Sequence, residues 1–177
     1  LGDSFYKDSR IKFSAIKKAI KKCAGKLKNQ QVVLNQLAII KQENPSRYKD
    51  MLRSGMLNYV IESKFTDDEK ILEDCILGGI LHDIGFLYLD PKFYNQTAKK
   101  FSVNDLKKMQ THSELGYHLL KPWFHENILN AAINHHIGED NSGYPRQMGL
   151  PPNRLSRLTS LSSAFVGCLR KHRLDKA

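Results

Sequence analysis

Apolar residues recur along this chain at helical spacing, and no stretch shows the two-residue alternation of a half-buried strand. Phe13, Ile16, Ile20, Cys23 and Leu27 repeat every three or four positions, while Lys17, Lys18, Lys21 and Lys22 fall between them. That pattern predicts an amphipathic helix with a solvated basic face. A second stripe, "VVLNQLAII", runs to a break at Asn44 and Pro45, and others cover Met51 to Ile61 and Ile71 to Leu81. Thr66 followed by Glu69 reads as a capping box, so a helix is expected from about Asp67 that carries His82 and Asp83 at its C-terminal end. Ser102 is expected to cap "VNDLKKMQ", His112 and Ser113 join it to "ELGYHLLK", and Pro122 stops that segment. "NILNAAINHH" predicts another helix, and a polar loop, "IGEDNSGYPRQMGLPPN", leads to a last one from about Leu155. The fold class that follows is all-α, a single-domain helical bundle. Its organisation is read as basic N-terminal helices over 1–43 packed on a main unit over 44–177.

Composition narrows the class. A chain of 177 residues holds one substantial core. With 41% hydrophobic and 26% charged residues it is an ordinary soluble globule, expected in the cytoplasm. No apolar run reaches the roughly 18 to 20 residues of a membrane span, and no segment resembles a signal peptide. Cys23, Cys75 and Cys168 lie far apart in apolar helical patterns, which reads as buried reduced thiols without a bridge or a zinc cluster. The formal net charge of +10 favours anionic partners. Nucleic acid is the disfavoured one, because no aromatic residues interleave the lysines of the first helix.

The candidate chemistry lies in three places: His82 with Asp83, then His112, then His135 with His136. Neutral imidazole and carboxylate together suit borderline and hard divalent ions, and the absence of cysteine argues against a structural zinc site. Neighbours on a helix project about 100° apart, so one member of each adjacent pair can ligate an ion while the other bridges or supports. His118, His125 and His172 are read as ordinary core or surface residues.

Three blocks in order, "ILHDIG" at 80–85, "THSELGYHLL" at 111–120 and "HHIGEDNSGYP" at 135–145, resemble the HD-GYP branch of the HD superfamily of metal-dependent phosphohydrolases. The resemblance runs from about Asn44 to Arg173. It implies a helical bundle around a centre of two or three metals, often iron or manganese, in a bacterial enzyme that hydrolyses cyclic di-GMP. The implied metal ligands are His82, Asp83 (the bridging carboxylate), His112, His135 and His136, with Asp50 at the place of an upstream histidine. Asp83 and Asp140 are the implied catalytic carboxylates. Tyr144 would line the nucleotide pocket, and Arg170 or Arg173 would meet the phosphates. The implied reaction is in-line attack on phosphorus by metal-activated water.

The chain also departs from that family. Phe86 stands where a phosphate-binding lysine is usual, Ile137 where a glutamate is usual, and Asn141 where a glycine is usual. In "LSSAFVG", Ser163 stands in a metal-ligand position and Val166 in that of the next aspartate. A neutral hydroxyl is a poor replacement for an anionic ligand. An incomplete metal centre is therefore one expectation. Two functional readings remain open: a divergent phosphodiesterase acting on cyclic di-GMP or a related nucleotide, and a catalytically impaired relative that senses a nucleotide and signals through protein partners.

Overall fold

The computed structural model describes residues 13–95, 101–145 and 150–174. The side chains of Phe13, His172 and Arg173 lie outside the described residues, so the phosphate-binding role expected of Arg173 does too. Among the described residues there is no strand, only an isolated bridge between Ile137 and Gly143.

Helix α1 (Phe13–Lys28) turns its apolar stripe inward and its lysines outward. The buried positions are Ile16, Ala19, Cys23 and Leu27. Ile20, expected inside, is instead 38% exposed, and Ala19 takes the buried place beside it, so the buried face is centred one position earlier. Helix α2 (Gln31–Glu43) buries Val33, Leu37 and Ile40. It ends at Asn44, whose side chain accepts from the Arg47 amide at 3.0 Å and starts helix α3 (Pro45–Glu62). Pro45 fits there because the first turn of a helix has no use for its missing N–H.

Helix α4 (Glu69–Leu81) is the centre of the bundle, packed on α1 and α3 and on two later helices. Leu72, Ile76, Leu77 and Leu81 are buried along it, each contributing roughly 2 kcal/mol of apolar transfer free energy. Its start differs from the capping box expected at Thr66. Asp68 is the N-cap, accepting from Lys70 N at 2.8 Å and Ile71 N at 3.2 Å, while Thr66 Oγ1 accepts only from the Asp68 amide. A carboxylate answers the exposed amides of a first turn better than a hydroxyl. Glu69 is drawn away to Lys18 and Lys22 of α1.

Beyond α4, a 3-10 turn (Ile84–Tyr88) and a short helix α5 (Lys92–Asn95) lead to α6 (Val103–Gln110). Ser102 caps α6 as expected, through a reciprocal box with Asp105. Helix α7 (His112–Leu120) follows after one residue, then α8 (Glu126–Asn134) and the long α9 (Arg154–Leu174). Among the described residues no helix is long and apolar enough to cross a membrane.

Candidate metal centre

Three helix ends meet at one point. Helix α4 stops at His82 and Asp83, α7 begins at His112, and α8 stops at His135 and His136. Gly85 makes the first meeting close, since a Cβ there would lie 1.9 Å from His112 O. Any other residue would force the turn after Asp83 away from α7. Asn134, at the end of α8, donates to Leu150 O at 2.9 Å and to Asn130 Oδ1 at 3.1 Å, fixing the helix end before the loop departs.

The imidazoles of His82, His112 and His135 are all buried. Each uses Nδ1 on a main-chain carbonyl of its own segment: His82 on Gly79 O at 2.8 Å, His112 on Met109 O at 2.7 Å, and His135 on Ala132 O at 3.0 Å. A carbonyl can only accept, so Nδ1 carries the hydrogen and Nε2 presents its lone pair. All three Nε2 atoms face Asp83 Oδ1, at 3.6, 3.4 and 3.5 Å respectively. His112 Nε2 and His135 Nε2 are 3.3 Å apart, with Ser113 Oγ 3.4 Å from the former. Three lone pairs and a carboxylate oxygen thus meet at one focus, an arrangement that calls for positive charge there. Burial pushes the His82 pKa down to about 4 and that of His112 to about 3, so these rings take up no proton at neutral pH. A divalent ion fits this donor set, and Asp83, His112, His135 and His136 lie within 4.8 Å of one another by their ligand atoms. The carbonyl-bound Nδ1 atoms are the supporting contacts such ligands ordinarily have.

His136 borders the same point. Its ring is stacked on Tyr144 at 4.5 Å between centroids, inclined by 27°, and its pKa is also driven down, first by burial and then by the neighbouring imidazoles. Tyr144 arrives there because the loop after α8 folds back. Gly143 has φ +98°, and a Cβ on it would fall 1.9 Å from His136 O. Asp140 is exposed in this loop and accepts from Ser142 N at 3.0 Å, a turn-stabilising contact.

Sequence reasoning missed Arg47. Its Nη1 lies 2.5 Å from Asp83 Oδ2, and its guanidinium carbon sits 3.6 Å above the Phe86 ring. The other face of that ring stacks on His112 at 4.0 Å. Burial alone would raise the Asp83 pKa, but His82, then Arg47 and the other imidazoles hold it well below the usual carboxylate range. With His82 and His112 neutral near pH 7, Arg47 is the lasting positive charge among them. The signal available in the sequence was Phe86 itself: a cation missing from one position invites a search for another on the facing helix.

Asp50 stands one turn after Arg47 on α3, with its carboxylate held by Arg53 at 3.0 Å and by Arg170 at 3.1 Å. It is outside the cluster of potential metal ligands. Arg170 is correspondingly engaged with Asp50. Ser163 Oγ donates to Ser160 O at 3.1 Å within α9, and Val166 is buried.

A family model described as "HD domain" matches residues 33–170. No curated protein matches the chain at a significant level.

Proposed function

The chain belongs to the HD domain family, and from that premise we propose that it is a metal-dependent phosphohydrolase of the HD-GYP kind, opening the phosphodiester of cyclic di-GMP or a related nucleotide. The observation that carries this reading is the convergence of His82, His112 and His135, through Nε2, on Asp83 Oδ1. Asp83, His112, His135 and His136, whose ligand atoms cluster, would hold the ion, with His82 joining them through its approach to Asp83. Iron or manganese suits a donor set of imidazole nitrogen and carboxylate oxygen. When bound, the ion supplies Lewis acidity toward a phosphoryl oxygen and acidifies water.

The chain's own residues do the rest. The carbonyl-bound Nδ1 atoms keep every ring in the tautomer that ligates. Phe86, buried and stacked on His112, keeps an apolar ring against the centre. Tyr144, stacked on His136 and half-buried, offers a ring edge beside the centre for a nucleobase. Asp140 shapes the loop that carries Tyr144.

A second reading, a nucleotide sensor with little turnover that signals through protein partners, is favoured by one observation. The position that would carry a phosphate-binding lysine holds Phe86, buried beneath Arg47, and Arg47 is itself spent on Asp83. Metal analysis of purified protein, combined with cyclic di-GMP turnover in added iron or manganese, separates the two. Bound metal with hydrolysis abolished in His82→Ala establishes the enzyme. Nucleotide binding without turnover establishes the sensor.

A further inference from the structure

The two oxygens of Asp83 have different surroundings. Oδ1 faces three imidazole nitrogens at 3.4 to 3.6 Å, whereas Oδ2 is taken by Arg47 Nη1 at 2.5 Å. Both side chains are only 15% exposed. The guanidinium rests on Phe86 at 3.6 Å, and its Nε is buried without a hydrogen-bond partner.

We infer that Arg47 is a built-in counter-ion for Asp83 that limits the centre to one divalent ion. This rests on the metal-centre reading above and deepens it. A carboxylate holds two ions by giving one oxygen to each. Here the second oxygen already faces a fixed positive charge, and a dication placed beside it would stand within a few ångströms of the guanidinium, where like charges repel strongly. A second ion would also need further anionic ligands. The next acidic residue on the same face of α3, Asp50, has its oxygens on Arg53 and Arg170. The arginines on this side of the centre therefore occupy the carboxylate oxygens that a second ion would require. Arg47 acts through Asp83 and is a positioning residue.

Metal stoichiometry tests this without reference to activity. Wild-type protein loaded with excess manganese and desalted is expected to retain one ion per chain, with the electron paramagnetic resonance spectrum of an isolated Mn(II). Arg47→Glu, which replaces the fixed cation by an oxygen ligand, is expected to retain two per chain and to show a spin-coupled spectrum. Two ions in the wild type overturn the inference while leaving the metal centre standing. No ion in the wild type overturns both. One ion in both proteins removes Arg47 as the cause. Should Arg47→Glu fail to fold, the wild-type count alone decides between one ion and two.

Discussion

Arg47 and Asp83, 36 positions apart in sequence, are joined by a 2.5 Å contact that ties the first turn of α3 to the end of α4. The pair lies at the junction between the scaffold and the chemistry. Its removal from either side has different consequences, because one partner is a metal ligand and the other is not.

Asp83→Asn keeps the volume and removes the charge. It leaves Arg47 mostly buried without its anion, a loss on the order of 3 kcal/mol, reduced by what solvent reaches the guanidinium. Unfolding in chelator is expected to show that loss, and metal analysis is expected to show the ion gone. Unchanged stability in chelator would mean that the contact contributes little to folding.

Phe86→Lys restores the residue type expected at that position, yet it should not restore function. Phe86 is 5% exposed and sandwiched between Arg47 and His112. An ammonium there meets a guanidinium at contact distance and forfeits the ring packing, costing about 3 kcal/mol or more. Denaturant titration is the measurement, and a stable, more active variant would contradict the geometry.

Much of this was legible beforehand, and the limits have physical causes. Helical period placed the main helices, because a buried stripe must recur with the turn of the helix whatever it packs against. The same period could not tell Ile20 from Ala19, since which side of a stripe is deepest depends on how closely the neighbour approaches. His82, Asp83, His112, His135 and His136 stand out in the sequence as a ligand set through the resemblance of their three blocks to a known family, because helical period by itself leaves each histidine an ordinary one. Asp50 and Arg170, expected at the metal and at the phosphates, are found paired with each other. That pairing, like the Arg47 contact, is set by how α3 crosses its neighbours, and no local pattern in the chain encodes it.

Acid should loosen α1 before the remainder of the bundle. Lys18 and Lys22 meet Glu69, and Lys26 meets the buried Glu73 at 2.6 Å. Hydrogen bonds to Lys18 and Lys22 lower the Glu69 pKa from 4.5 to about 2; burial would raise that of Glu73, but Lys26 and Lys22 lower it. A depressed carboxylate pKa means that the unfolded state binds protons first, so the stabilisation is complete above about 4.5 and is lost as pH falls toward about 2. Hydrogen exchange of α1 amides across that window is expected to accelerate first.

The cysteines should divide sharply. Burial pushes the thiols of Cys23 and Cys75 up to about 12, while Cys168, expected to be buried like them, is exposed on α9. A thiol reagent at mildly alkaline pH is expected to modify Cys168 alone in the native protein and all three cysteines after denaturation. Fast modification of Cys23 would show that α1 opens readily.

Gly143→Ala places a side chain where φ is +98° and His136 O blocks the way at 1.9 Å. The loop must move, costing about 2 kcal/mol of strain or the Tyr144 stack on His136. Weaker nucleotide binding with metal content preserved is the expected signature.

The Nδ1 bonds of the three inner histidines have a wider consequence. Because a peptide oxygen of the same segment orients every one of these rings, their aim is an inheritance of the backbone and owes nothing to the cargo they hold. Stripping the ion by chelation should therefore leave the receptacle in shape, ready to be refilled without any refolding.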